Sequence, residues 1–207
     1  MKPRTNKFAW VAFGMLAIVI GFYPLFYLLG PRDLGLLGTK TPEILESPLW
    51  NIAFYGHISF GGISLLTGWT QFSRELRRRY LKWHRRFGRI YVVSALASAA
   101  CGVYLAFFAT GGWVAGLGFL LLGLCWIYFT VRAYLAVRAS DLTKHEAYMI
   151  YSFATCFAAV MLRVWMPLLI LVFGEFLIAY RIVAWLCWVP NLVFAYFWVQ
   201  RSGLQLG

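Results

Sequence analysis

Six long apolar stretches divide the chain, and short polar linkers separate them. Each stretch is long enough to cross a hydrocarbon core of ~30 Å, which takes about 20 helical residues. The pattern therefore predicts an all-α, polytopic membrane bundle of six transmembrane helices, with residues 1–207 forming a single domain. The predicted spans are residues 8–30, 49–72, 90–110, 113–137, 148–173 and 177–199.

The composition agrees with a membrane protein, because 62% of the residues are hydrophobic and 13% are charged, against roughly a quarter charged in soluble domains. A net charge of +12 suggests nucleic acid in a soluble protein, but here the basic residues collect in alternate linkers. The positive-inside rule then predicts an N-in, C-in protein of the bacterial cytoplasmic (inner) membrane, with no nucleic-acid partner. The basic side carries Lys2, Arg4, Lys7, the run over 74–89, Arg138, Lys144 and Arg201. The opposite linkers carry Arg32, Lys40, Asp33, Glu43, Glu46 and Glu175.

The basic run over 74–89 has a spacing typical of one helix face. Four of its members fall at i, i+4, i+7 and i+11, so a short interfacial helix would present them together. Juxtamembrane basic residues attract anionic lipids by ~1 kcal/mol per charge. The predicted lipid-headgroup residues are Arg78, Lys82, Arg85 and Arg89.

Two ionisable residues lie deep within predicted spans, which makes them functional candidates. His57 lies roughly 12 Å from the outer side and Arg163 about 22 Å from the inner side, so both fall in the outer half. No Asp or Glu lies within a span, which favours an external partner such as a lipid phosphate, a quinone oxygen or a haem propionate. The alternative is that His57 bonds a neighbouring helix and Arg163 extends to the outer headgroups. The predicted ligand pocket contains His57, Arg163, Asn51 and Tyr55, with Glu175 and Arg181 near its rim.

The other two histidines precede spans three and five on the cytoplasmic side. His84 and His145 lie at equal depth, and a bis-histidine haem b needs two imidazoles on opposite sides of a porphyrin. Haem b is thus a candidate cofactor at His84 and His145, and haem b or quinone is a candidate at His57 and Arg163. Most of the membrane separates His57 from the other two histidines. The alternative is that His84 and His145 cap helix starts near the headgroups. No His or Cys spacing typical of zinc occurs, so no metal site is predicted.

Two strings resemble a bacterial family of predicted membrane proteins of unknown function. The first runs from Gly68 to Arg77, and the second reads His84-Arg-Arg-Phe-Gly-Arg-Ile-Tyr-Val92. The resemblance continues through Leu162-Arg163 to Pro190-Asn191, and it implies a polar set of His57, Gln71, His84, Arg89, His145 and Arg163. Where the family has His-Arg-Arg-Trp-Met-x-Arg-Ser, this chain reads His-Glu-Ala-Tyr-Met-Ile-Tyr-Ser from His145, and the arginines are missing. A looser similarity in helix count and histidine placement is to b-type transmembrane cytochromes.

Three functions remain open from the sequence. The first is a redox role that uses haem b or quinone. The second is binding or transport of a small molecule or lipid between His57 and Arg163. The third is an accessory subunit of a larger membrane complex, packed against a partner membrane protein. Nothing in the sequence decides whether the protein is an enzyme.

Overall fold

The structure, a computed structural model, describes residues 7–31 and 35–204, in which all regular secondary structure is helical. Two 3-10 helices, Leu37–Thr39 and Trp69–Phe72, accompany the α-helices. The α-helices are α1 (Lys7–Phe22), α2 (Pro24–Leu29), α3 (Pro42–Glu46), α4 (Pro48–Gly68), α5 (Arg74–Arg79), α6 (Leu81–Ala106), α7 (Gly112–Arg138), α8 (Leu142–Cys156), α9 (Ala158–Phe173), α10 (Phe176–Leu186) and α11 (Val189–Arg201). The predicted all-α class is confirmed. The residues Lys2, Arg4, Arg32 and Asp33, used above to predict orientation, lie outside the described part.

Five helical segments of the described chain are long and apolar enough to cross a membrane. They are Lys7–Leu29, Leu81–Ala106, Gly112–Arg138, Leu142–Phe173 and Phe176–Arg201. The remaining apolar stretch forms α4, which has 21 residues and is more polar because it contains Asn51 and His57. Five of the six predicted spans thus have the length and composition of a membrane helix.

Three of these segments are interrupted. The first breaks at Tyr23, between α1 and α2, and the last breaks between α10 and α11. Pro24 and Pro190 lie in the first turns that follow these breaks, where a missing backbone N–H costs no helical hydrogen bond. The fourth segment, Leu142–Phe173, breaks at Phe157, between α8 and α9. Tyr23, at the first break, is partly buried and lies against Arg163 of α9.

The basic linker does not form the single helix that the charge spacing predicts. Helix α5 ends at Arg79, because Tyr80 leaves the helical conformation with φ −126° and ψ 51°. Arg78 therefore lies on α5, whereas Lys82, Arg85 and Arg89 lie on the first turns of α6. The predicted face is split between two helices.

The core lies where α4, α6, α7, α8 and α9 meet. Tyr91 and Val160 are fully buried there, and Leu65 and Phe153 are 2% and 3% exposed. Helix α6 packs between α4 and α7, α8 packs on α7, and α1 packs on α4. The cluster joins helices from most of the chain, so positions in α6 are held from several sides.

The segment that follows residue 34 packs over one end of the bundle, which we call the linker end. Leu37 is 3% exposed and packs with Trp50 and Phe54. Lys40 Nζ donates to Thr110 Oγ1 at 2.8 Å and to the carbonyl of Phe108, which ties this segment to the α6–α7 turn. The opposite end, which holds α5 and the start of α6, is called the basic end.

Candidate functional site

His57 is fixed by α6, the neighbour of α4. Its Nδ1 lies 2.9 Å from the carbonyl oxygen of Ser98, and the Ser98 hydroxyl donates to the His57 carbonyl at 2.8 Å. Gly102 lies one turn further along α6, and a Cβ there would stand 3.0 Å from Nδ1. The ring thus lies directly against the α6 backbone.

The contact with Ser98 sets the proton position on the imidazole. A carbonyl oxygen only accepts hydrogen bonds, so Nδ1 of His57 must carry the hydrogen. The neutral ring then has its lone pair on Nε2. This arrangement, with one ring nitrogen bonded to a backbone carbonyl, leaves the other nitrogen to accept a proton or a hydrogen bond from a ligand.

Arg163 lies on α9 and has no carboxylate partner. Its Nη1 donates to the Ala159 carbonyl at 2.7 Å, and its Cζ lies 4.2 Å from the centre of the Tyr23 ring. The Nε atom is buried and has no hydrogen-bond partner in the described part of the chain. No ion pair among the described residues includes Arg163. A guanidinium in a membrane segment is thus left with an unused donor.

Two tyrosines from the first apolar stretch complete this region. The phenols of Tyr23 and Tyr27 are the polar neighbours of Arg163, and their rings meet edge to face with centres 5.8 Å apart. The Tyr27 hydroxyl also accepts from the Leu36 backbone N–H at 3.4 Å, so the linker end is connected to the same group. The Arg163 charge is close enough to act on the His57 imidazole. We call Tyr23, Tyr27, His57 and Arg163 the polar cluster.

Tyr23 and Tyr27 are not among the site residues predicted from the sequence. A signal was present, because both flank Pro24 at i and i+4, on one face of a helix start. Tyrosine is common near membrane interfaces, where its ring is apolar and its hydroxyl is wet. Nothing in a single sequence distinguishes that ordinary use from contact with Arg163.

The other predicted pocket residues have different contacts. Asn51 Nδ2 donates to the carbonyls of Leu45 and Ser47, at 2.7 and 2.9 Å, and so fixes the start of α4. Tyr55 packs edge-on against Phe54, with ring centres 5.3 Å apart. At the predicted rim, Glu175 is exposed, and Arg181 donates through Nε to the Gly111 carbonyl at 2.9 Å. The contacts of Asn51 and Arg181 therefore hold turns, and they do not involve the polar cluster.

The remaining histidines lie near one another at the basic end. His145 Nδ1 is 2.9 Å from the Ala133 carbonyl, so Nε2 holds the lone pair there as well. His84 Nδ1 is buried without a hydrogen-bond partner among the described residues, and His145, Arg77 and Arg85 are its charged or titratable neighbours. The Arg77 guanidinium is paired with Glu146 at 3.2 Å. His145 is thus within electrostatic range of His84, and a pairing of the two imidazoles stays a prediction.

A family model for membrane proteins matches residues 54–199. The chain belongs to the family described as Predicted membrane protein (DUF2306). The resemblance to a membrane-protein family of unknown function is thereby confirmed. No curated protein and no solved structure matches the chain. The looser similarity to b-type cytochromes therefore stays an analogy.

The DUF2306 match covers the three histidines and Arg163, whereas Tyr23 and Tyr27 precede it. The polar cluster therefore combines positions inside the family region with two tyrosines from the preceding segment. Gln71, another member of the implied polar set, donates to Thr70 Oγ1 at 3.1 Å and lies near the Gly88 backbone.

The polar cluster combines one positive charge with hydrogen-bond donors and acceptors. Arg163 supplies donors and positive charge, which suit a phosphate, carboxylate or carbonyl oxygen. His57 supplies a hydrogen-bond acceptor at Nε2. The two phenols both donate and accept. Together these groups offer both donors and acceptors to an oxygen-bearing ligand.

Proposed function

We propose that this DUF2306 protein binds the polar head group of a membrane-soluble ligand between His57 and Arg163. The observation that carries the proposal is the Arg163 guanidinium, which lies in a membrane segment with a buried Nε and has neither a partner for this atom nor a carboxylate within residues 7–31 and 35–204. A charged side chain in this setting is costly unless it is paired or hydrated. A ligand oxygen would accept from the free donor and offset that cost.

The proposed topology is six spans with both termini in the cytoplasm, in the bacterial inner membrane. In this proposal α4 also crosses the membrane, as the second span in chain order, and it brings the number of spans to six. Its 21 residues reach about 31 Å, it carries no Asp, Glu, Lys or Arg, and it packs along α1 and α6. Reporter fusions at residue 40 and residue 80 test this, because six spans require opposite sides of the membrane. A signal from one side at both positions contradicts it.

The ligand chemistry has two natural sources. A quinone carries carbonyl oxygens that accept from Arg163, and its reduced form carries hydroxyls that donate to His57 Nε2. A lipid phosphate carries a full negative charge, and it would be the counter-ion of the Arg163 guanidinium. Both are membrane-soluble molecules with an oxygen-bearing head group.

Thermal unfolding of the purified protein in detergent tests the proposal and separates the two sources. The probes are a short-chain quinone and a phosphatidylglycerol of short chain length. We expect one probe to raise the unfolding temperature of the natural protein, and we expect a smaller rise in Arg163→Gln, because any phosphatidylglycerol bound at the basic end stays bound in this variant. Arg138→Gln is the matched control, because Arg138 is exposed at the basic end and bonds only Tyr134 among the described residues.

A second variant keeps the test decisive if Arg163→Gln does not fold. His57→Gln retains a side-chain amide that can donate to the Ser98 carbonyl, but it removes the titratable ring. We expect it to fold and to reduce the shift. If neither probe shifts the natural protein, or if all variants shift equally, the proposed site is wrong.

Haem b at His84 and His145 is the second candidate, and it would give the protein a redox role. It is favoured by the proximity of the two imidazoles and by the free Nε2 of His145. Axial haem ligands commonly bond a backbone carbonyl through the other ring nitrogen, as His145 does. The Soret absorbance described in the Discussion tests it.

We also propose that the basic end contacts anionic lipids of the cytoplasmic leaflet. Three of the four predicted residues, Lys82, Arg85 and Arg89, begin α6, and Arg78 is exposed on α5. None of the four takes part in an ion pair of the described residues. Unpaired basic side chains at a membrane surface are the groups that attract lipid phosphates.

A further inference from the structure

The first turns of α6 border two concave surfaces that share one residue. One depression of about 490 Å³ is lined by Lys82, Trp83, Arg85, Arg86 and Arg89. A second, of about 330 Å³, lies between α4 and α6 and is lined by Phe60, Ile63, Arg89, Ile90, Val93 and Ser94. Arg89 lines both, so the two shallow depressions adjoin at this side chain and together make one surface feature.

The two halves of this feature differ in chemistry. The first is basic, and its indole ring is covered by a guanidinium, since Arg86 Cζ lies 5.5 Å from the centre of the Trp83 ring. The second is almost entirely apolar, with Phe60, Ile63 and Val93 exposed at its surface. From Lys82 to Val93 the feature runs ~16 Å along α6. A charged end followed by an apolar groove has the polarity of a single phospholipid.

The charge of the first half selects the class of lipid. Lys82, Arg85, Arg86 and Arg89 form no ion pair among the described residues, and Glu75 and Glu146, on neighbouring segments, are paired with Arg79 and Arg77. The cationic group of a zwitterionic head group would be repelled by the basic side chains of this surface. An anionic head group brings only the phosphate charge that four basic side chains need.

We propose that one anionic phospholipid binds here, with its phosphate at Arg85, Arg86 and Arg89 and one acyl chain in the groove between α4 and α6. This site is separate from the polar cluster. It rests on the proposed lipid contact of the basic end and narrows it from a diffuse attraction to one bound molecule.

Native mass spectrometry of the full-length protein in detergent tests this proposal. The protein is titrated with phosphatidylglycerol and, separately, with phosphatidylcholine of the same chain length. We expect one phosphatidylglycerol to bind in preference. Arg89→Gln should weaken its binding roughly fivefold, the loss that corresponds to one basic residue at a membrane surface.

Two further variants separate a discrete site from diffuse charge. Val93→Trp fills the groove, so it should weaken both lipids while the preference for the anionic one is kept. Arg74→Gln removes an exposed charge of α5 that lines neither depression, and it should change nothing. If Arg74→Gln and Arg89→Gln weaken binding equally, or if Val93→Trp has no effect, the discrete site is wrong and only diffuse contact survives. Equal binding of the two lipids by the natural protein overturns both.

Discussion

A chain of buried hydroxyls joins α6, α8 and α7, and its direction can be derived. Thr130 Oγ1 donates to the Trp126 carbonyl at 2.7 Å, which uses its one hydrogen. It must then accept from Ser152 Oγ at 2.7 Å, and Ser152 must accept from the Tyr91 hydroxyl at 2.8 Å. Tyr91, Ser152 and Thr130 are all fully buried. The chain therefore runs from Tyr91 to the Trp126 carbonyl.

This direction predicts unequal effects of two small substitutions. Tyr91→Phe removes the first donor and leaves the Ser152 hydroxyl donating to Thr130, so it should cost ~0.6 kcal/mol, the average for an interhelical hydrogen bond in a membrane protein. Ser152→Ala removes the acceptor of the Tyr91 hydroxyl and leaves that buried donor alone, which costs about 1–3 kcal/mol. Ser152→Ala should therefore be the more destabilising change. In the double variant the orphaned hydroxyl is gone, so it should be no less stable than Ser152→Ala.

The free energy of unfolding, measured by reversible titration with a denaturing detergent, checks the order of the three variants. The reasoning is refuted if Tyr91→Phe costs as much as Ser152→Ala, or if the double variant shows the sum of the two losses. Either outcome would mean that the hydroxyls do not form the directed chain.

Three further predictions concern other parts of the molecule. Gly68→Ala should destabilise the protein by about 1–3 kcal/mol in the same unfolding titration, because the new Cβ would lie 2.5 Å from the Phe153 ring. Gly56→Ala is the control and should cost less, because its Cβ would meet only Cys101 Sγ, at 3.3 Å. The Lys144 backbone N–H lowers the pKa of the Asp141 carboxyl, so this carboxylate stabilises the fold above its unfolded pKa. Asp141→Asn should therefore lower the unfolding temperature at pH 7, and the difference should vanish as the pH falls through the lowered pKa; a difference that is independent of pH contradicts this. If haem b binds at His84 and His145, the purified protein will show a Soret band that is lost in His145→Ala, and a colourless, folded preparation contradicts haem.

Much of the fold follows from the sequence, because hydrophobic length alone determines where membrane helices form. The predicted stretches over 113–137 and 177–199 differ by one or two residues at each end from Gly112–Arg138 and Phe176–Arg201. The start of the third span was less predictable. Helix α6 begins at Leu81, ahead of the apolar stretch that starts at residue 90, because helix formation does not require apolar side chains.

The site was only partly accessible from sequence. Depth counting brought His57 and Arg163 to one level, and the Arg163 charge acts on the neutral His57 ring. It gave no information on rotation about the helix axes, so it did not reveal that Asn51 bonds linker carbonyls or that Tyr23 lies over Arg163. The predicted partner membrane protein stays a prediction, since lipid-facing and protein-facing apolar side chains have the same composition.

The central claim is that a ligand head group occupies the space between His57 and Arg163. Organic extraction of the protein purified from membranes in a mild detergent, followed by mass spectrometry, tests it most directly. Arg89→Gln serves as a control that alters the proposed lipid site alone. We predict a membrane-soluble compound with an oxygen-bearing head group whose amount per protein falls by about one molecule in Arg163→Gln, and this loss is separate from that of the phospholipid whose binding Arg89→Gln weakens. Identical extracts from the natural protein and Arg163→Gln would contradict the account.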